Sequence, residues 1–233
     1  MTVRHKVRLQ MLPLAEYIGV NRADPIRLYG WPVVGPLYRA RVELCLGELR
    51  GGDRVLEVGF GTGVTFSNLS RLYRGIFGLD LTASVDDVAA LWGSKGIQTH
   101  LTNGNVTQMP YPDEFFDAVL LISILEHLRP AELKAAFLEI RRVLKPGGQL
   151  VYGVPVERPL MVMAFRVMGY DIREHHFSTE REVAVAAREV LGERRLTVMR
   201  GGLGLLGPIY EVGSFEKTPA FGTVEAAVPR PIR

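Results

Sequence analysis

The sequence predicts an α/β domain built on a doubly wound, mostly parallel sheet of seven strands. Three observations carry that expectation. Short apolar runs alternate with helical stretches from about residue 54 to residue 154. The first of these runs ends in a glycine-rich turn that leads into a helix. After residue 190 the rhythm changes, and two strands follow one another across a glycine-rich loop. Strands that alternate with helices imply parallel pairing through crossover connections. At 233 residues the chain has room for one sizeable domain and a small lid, whereas two full domains would be cramped.

The elements follow in order. Residues 1–36 read as an irregular N-terminal segment or lid, interrupted by Pro13, Pro25, Pro32 and Pro36. Tyr38, Val42, Cys45 and Leu49 then recur at helical spacing, which predicts a helix over 37–50 closed by Gly51-Gly52. Residues 54–58 form a buried strand, and a helix is expected over 64–72. A second strand over 75–81 precedes a helix through Val85, Val88, Ala89 and Leu91. A third strand covers 98–101. The run 117–124 is the most apolar of the chain, which predicts burial on both faces. Pro130 opens the next helix, whose core stripe is Leu133, Phe137, Ile140 and Leu144. Pro146-Gly147-Gly148 is expected to stop it before a fifth strand over 149–154. A helix over 180–191 starts at Thr179 and Glu182, spaced as a capping box, and ends at Gly192. Strands over 195–199 and 209–217 complete the set, and 219–233 is expected to be a flexible tail. The domain proper is therefore placed at 37–218, with its core motifs in 54–154 and a cap inserted at about 156–178.

Composition excludes several classes. The net charge of +3 is small and its positive residues are scattered, apart from Arg4, Lys6 and Arg8. A nucleic-acid groove needs a concentrated basic stripe, so no nucleic-acid partner is expected. The single cysteine, Cys45, excludes an internal disulfide and a cysteine-based metal cluster; its position in the helical pattern makes it a core residue. Pro13 and Glu16 break up the early apolar stretch, which fits a signal peptide poorly. No apolar run approaches the roughly 20 residues needed to span a bilayer. A cytoplasmic protein without a transmembrane segment is expected, with peripheral lipid contact left open.

The chemistry concentrates in Glu57-Val58-Gly59-Phe60-Gly61-Thr62-Gly63, between a strand and a helix. Glycines there let the chain turn sharply and let a ligand lie against bare backbone. A dinucleotide fingerprint fails, because Val64 stands where the third glycine of G-x-G-x-x-G belongs. The charge of Glu57 would also oppose a pyrophosphate, and suits a ligand that carries positive charge. Three further motifs follow: Gly78-Leu79-Asp80; Gly104-Asn105-Val106 with Met109-Pro110 and Phe116-Asp117; and Ser123-Ile124-Leu125-Glu126-His127-Leu128 leading to Leu144-Lys145-Pro146-Gly147-Gly148. In this order and spacing, over 42–154, the sequence resembles the class I S-adenosylmethionine (SAM)-dependent methyltransferases, specifically the broad type 11 group that acts on small molecules.

The resemblance implies a Rossmann-like fold with an antiparallel C-terminal strand, SAM as methyl donor and S-adenosylhomocysteine as its product. It also implies roles for particular residues. Gly59, Gly61 and Gly63, with Phe60 and Thr62 between them, would let the backbone approach the methionyl part and ribose. Glu57 would organise the loop and the amino-group end. Asp80 would accept from both ribose hydroxyls, and Leu81 would pack on the adenine face. Asn105, beside Val106, departs from the aspartate more usual in the group; its amide can still accept a hydrogen bond from adenine. Ser123 would line the cleft near the transferred methyl.

Five histidines remain to be weighed. His127 is the first candidate for a general base, and its alternative is packing or capping of the next segment. His175 and His176 lie where the group places a substrate lid, and adjacent histidines alone make a poor chelate, so no metal is expected. His5 and His100 look incidental. Tyr29 and Trp31 are candidates to close the other side of the pocket. Pro159-Leu160-Met161-Val162-Met163-Ala164-Phe165 with Val167 and Met168 is either a cover for an apolar substrate or a core helix. The expected activity is in-line transfer of a methyl group to a small molecule, with an apolar one left open by the alternatives for 159–168. A non-catalytic SAM-binding protein, a methyltransferase of protein or nucleic acid and a nicotinamide oxidoreductase stay open as alternatives.

Overall fold

The computed structural model describes residues 7–18, 25–32, 34–156, 176–192, 194–200 and 207–218. Residues 157–175 of the expected cap, with its apolar run and His175, as well as His5, the glycine-rich loop before the last strand and the tail after residue 218, lie outside the described residues.

Seven strands form one sheet: β1 (Gly52–Val58), β2 (Tyr73–Asp80), β3 (Thr99–Asn103), β4 (Phe116–Ile122), β5 (Leu144–Pro155), β6 (Arg195–Arg200) and β7 (Pro208–Glu216). Their order is β3-β2-β1-β4-β5-β7-β6. The first five pair in parallel, and β7 runs antiparallel between β5 and β6. The strand order reverses between β1 and β4, and the crevice beyond the carboxyl ends of strands at such a point is where open α/β sheets bind ligands.

Alternation along the strands explains why both faces are covered. On β1, Leu56 and Val58 face one apolar cluster while Val55 faces the other. On β4, Val119 and Leu121 face the first, and Ala118 and Leu120 the second. The first cluster is roofed by α4 (Pro130–Val143) and α5 (Glu180–Leu191) through Leu133, Phe137, Ile140, Val183, Ala187 and Val190. The second is roofed by α1 (Val34–Leu46), the short α2 (Phe66–Leu69) and α3 (Val85–Ser94), with Cys45 and Trp92 fully buried.

Most predicted elements are present, and the departures have physical reasons. α1 begins three residues earlier than expected, at Val34, with Pro36 tolerated in its first turn, and it ends at Leu46 rather than at the glycine pair. Gly51 (φ 85°) instead turns the chain into β1, which Gly52 opens. The helix expected over 64–72 shrinks to four residues, because the chain ahead of it is wound in turns through Gly61 and Gly63, both at positive φ. α4 stops at Val143, so Pro146-Gly147-Gly148 falls within β5. There it forms an irregularity between the Phe116–Leu144 and Ala118–Gln149 pairs. The capping box at Thr179 and Glu182 forms as predicted, and Gly192 ends α5. The N-terminal segment contains 3-10 turns at Leu14–Glu16 and Pro25–Gly30.

Candidate functional site

The glycine loop leaves β1 with the strand's ladder still running: Gly59 N donates to Leu79 O of β2 at 2.7 Å. Gly59 has φ 75°, and a Cβ there would lie 2.0 Å from Ile124 Cδ1, so only glycine fits between the two strand ends. Gly63 has φ 73° and is pressed against Phe66 and the Trp92 indole, which itself donates to Thr62 O at 3.1 Å. The Phe60 ring is buried against Phe66 and over Gly78. Phe60 and Thr62 thus turn their side chains into the fold, and what they can offer a ligand is backbone.

Asp80, at the end of β2, ties this loop together. Its Oδ2 accepts from Gly61 N at 3.0 Å, and its Oδ1 accepts from Thr82 N and Ala83 N, each at 2.9 Å. Two donors use the capacity of Oδ1, so one acceptor position remains on Oδ2. That is half of what two ribose hydroxyls would take, and both could be held only if Gly61 N gave way. Leu81 stands 70% exposed beside it, an apolar surface open to a flat ligand. Across β3, Asn105 is exposed, and its Oδ1 closes a turn on Thr107 N at 3.0 Å. Its amide nitrogen is the group best placed to donate outward. Val106 is buried next to it.

Glu57 is buried beneath the loop and accepts a hydrogen bond from Thr65 Oγ1. Burial pushes its carboxyl up to about 8; the Thr65 hydroxyl opposes the shift and the nearby Asp80 charge adds to it. The Asp80 carboxylate beside bare backbone, with an exposed leucine and an outward amide, fits a ligand that brings hydroxyls and a flat ring, and the buried Glu57 lies beneath that backbone. SAM has that chemistry and no phosphate.

Asp117 of the third motif has a structural duty at the opposite end of the sheet. It accepts from Asp53 N, Arg54 N and Lys145 Nζ, at 3.1, 2.8 and 2.7 Å. His100 stacks on Phe77 at 4.6 Å.

Ser123 follows Ile122, the last residue of β4, and the next residue, Ile124, is the one that packs against Gly59. Ser123 takes φ 57°, a strained conformation for a residue with a side chain. Its N donates to Gly153 O at 2.8 Å, and its hydroxyl lies 3.1 Å from the Tyr210 phenol and accepts from Arg41 Nη1 at 3.2 Å. Arg41 also lies 3.9 Å over the Tyr38 ring, which meets Tyr29 edge-on at 5.7 Å. Tyr29 is therefore joined to the end of β4 through Tyr38 and Arg41, while Trp31, 57% exposed, stands outside this cluster. Neither Arg41 nor Tyr210 is prominent in the sequence. One signal was available: Gly153 interrupts the fifth strand, and a Cβ there would sit 2.5 Å from the Tyr210 hydroxyl.

The turn Leu125–His127 carries the histidine of the fourth motif. His127 is exposed, and its ring lies 5.2 Å from that of His176, centroid to centroid. The approach is enforced by backbone: Phe177 N and Ser178 N both donate to Glu126 O, at 2.8 and 3.2 Å. Glu126, His127 and His176 each bring one potential ligand atom within 4.8 Å of the others, a spacing at which a divalent metal could be held. Sequence separation of about fifty residues hid this grouping, since only the structure brings His176 to the turn. No described helix is long and apolar enough to cross a membrane.

Residues 56–152 match the methyltransferase domain family. Over 102 residues the chain is 33% identical to a demethylmenaquinone methyltransferase of Tropheryma whipplei (strain Twist), covering 43% of this chain and 41% of that protein. Over 155 residues it is 34% identical to a fatty-acid O-methyltransferase of Mycolicibacterium smegmatis, covering 64% of this chain and 50% of that protein. The chain thus spans half or less of the length of these relatives. The crystal structure of the PH0226 protein from Pyrococcus horikoshii OT3 superposes with a TM-score of 0.63 at 18% identity, over 84% of this chain and 97% of that one, which shows the shared fold.

Proposed function

We propose that this chain, which belongs to the class I SAM-dependent methyltransferases of the type 11 group, transfers a methyl group from SAM to a small, largely apolar molecule. The observation that carries the reading is Asp80, whose carboxylate is pinned to Gly61 N with one acceptor position left facing the loop. Gly59, Gly61 and Gly63, with the backbone of Phe60 and Thr62, would cradle the methionyl part and the ribose. Glu57 lies beneath the amino-group end, Asp80 takes a ribose hydroxyl, Leu81 and Val106 flank the adenine, and Asn105 meets its edge. Ser123 marks the place of transfer.

When bound, SAM supplies an electrophilic methyl on a sulfonium, whose C–S bond breaks with its electron pair remaining on sulfur. The residues of the chain have the task of alignment, which can supply a large share of the barrier reduction. His127, exposed and 5.2 Å from the His176 ring, would accept a proton from an acceptor that must lose one. Tyr29 and Trp31 would border the acceptor on the N-terminal side. The names of the two relatives, one acting on a demethylmenaquinone and one on a fatty acid, support a small apolar acceptor.

Isothermal titration with SAM, S-adenosylhomocysteine and NADH tests the reading. Wild type is expected to bind the first two and not the third. Asp80→Ala should weaken both by about tenfold or more, since a charge-assisted hydrogen bond is worth roughly 1.5–3 kcal/mol. Binding of NADH in place of SAM would overturn the assignment.

A further inference from the structure

The acceptor's chemistry can be narrowed by one residue that the cofactor loop does not use. Arg41 sits on α1, beside the end of β4, and is only part-exposed. Its neighbours are hydroxyls and rings: Ser123 Oγ at 3.2 Å, the Tyr38 face at 3.9 Å and the phenols of Tyr29 and Tyr210. Its Nε is enclosed without a hydrogen-bond acceptor. The ion pairs among the described residues, such as Lys145–Asp117 and Arg142–Glu139, do not include it. A guanidinium drawn out of water without a carboxylate to meet it is costly. A protein that keeps one beside its reaction site gains if an anion arrives with the ligand.

Resting on the methyltransferase reading above, we propose that Arg41, with the hydroxyls of Tyr29, Tyr210 and Ser123, binds the ionised carboxylate of the methyl acceptor. The planar fork of a guanidinium matches a carboxylate's two oxygens. Burial pushes the Tyr210 phenol well above its usual range, so at neutral pH it keeps its proton and can donate to the same group. The strained Ser123 is held between Arg41 and Tyr210, which sets both at the carboxyl end of β4, one residue before Ile124, which packs against Gly59. The acceptor class that follows is a small organic acid with an apolar body. A carboxylate is already ionised at neutral pH and calls for no base, which agrees with the exposed position of His127.

The test is isothermal titration of the full chain saturated with S-adenosylhomocysteine. The probes are octanoate and benzoate, each against its uncharged counterpart, octanol and benzyl alcohol. Wild type should bind at least one acid about tenfold more tightly than its alcohol. Arg41→Met should abolish that preference, weakening the acid by about thirtyfold or more. S-adenosylhomocysteine affinity should stay within about twofold, as expected of a residue with no contact to the loop. The melting temperature separates binding from scaffolding: loss of the Ser123 and Tyr38 contacts lowers the variant's own baseline, whereas added acid should raise the melting temperature of wild type and no longer that of the variant. Arg41→Lys, which keeps the charge and loses the fork, should fall between the two and serves if the methionine variant does not fold. The proposal is overturned if wild type binds acid and alcohol alike, if it binds neither acid, or if Arg41→Met keeps the preference. Failure of wild type to bind S-adenosylhomocysteine would instead overturn the methyltransferase reading, and this proposal with it.

Discussion

Glu57 is the residue at which sequence and structure give different information. Its place before the glycines was legible as negative charge suited to a cationic ligand. Its burial was not, because a single carboxylate in a strand does not announce how deeply it will sit. With the carboxyl pushed up to about 8 by burial, the folded protein without cofactor holds a proton that the unfolded chain releases from about pH 4.5 upward. The folded state then binds more protons, so stability falls as pH rises through that interval and levels off above about 8. The loss should amount to a few kcal/mol, read by urea denaturation at pH 5, 7 and 9. Glu57→Gln should remove most of this slope and leave the Thr65 contact intact. A wild type whose stability stays flat over this range, or a variant with the same slope, would sink the claim. The same burial hid Phe60: its position inside the motif suggested ligand contact, yet the ring packs under Gly78, where a glycine leaves room for it.

Among the elements, those with a strong local pattern were legible and those set by tertiary contact were not. α4 and α5 announce themselves through Pro130, the Thr179–Glu182 box and their apolar stripes. The helix after the glycine loop did not keep its expected length, because turns dictated by Gly61 and Gly63 take up its first residues. At the start of α5 the local and tertiary signals meet. Thr179 Oγ1 accepts from Glu182 N at 3.3 Å, while just upstream Ser178 Oγ donates to Leu128 O at 2.6 Å and Phe177 N to Glu126 O. The cap therefore fastens the helix and, with it, the approach of His176 to His127. Thr179→Ala should cost about 1 kcal/mol in denaturant unfolding, the usual value of an N-cap. Amide exchange should rise over 180–183 and at 177–178, where the helix start is stapled to the Leu125–His127 turn. Faster exchange confined to α5 would mean that the turn is held by other contacts and that the cap has no part in placing His176.

Across the whole molecule, the segment before α1 has a larger part than its irregular sequence suggests. Read alone it offered prolines and two aromatic sites, and nothing in it named a partner, because its partners come from three helices distant in sequence. Leu9 N donates to Glu43 of α1 at 2.9 Å, Tyr17 meets Trp92 of α3 edge-on at 6.4 Å, and Glu16 pairs with Lys95. The central tie is Asn68 of α2, whose Oδ1 accepts from Gln10 N at 2.8 Å and whose Nδ2 donates to Arg8 O at 2.9 Å. A single side chain thus completes a strand-like pair of backbone bonds and holds residues 8–10 against the helix that follows the glycine loop. Trp92, which the segment covers, in turn holds Thr62. Asn68→Ala leaves two backbone groups seeking water and should cost about 1–3 kcal/mol. Because the tie lies on the same apolar cluster as Phe66 and Trp92, its loss should reach the loop as well. Faster amide exchange is expected at 8–12, a change in tryptophan emission should report Trp92, and S-adenosylhomocysteine affinity should fall by a few fold although Asn68 is not placed against the cofactor. Unchanged exchange at 8–12 would show that the segment is held by its apolar contacts alone. Loosened exchange with full cofactor affinity would show that the strap and the loop are independent parts of the fold.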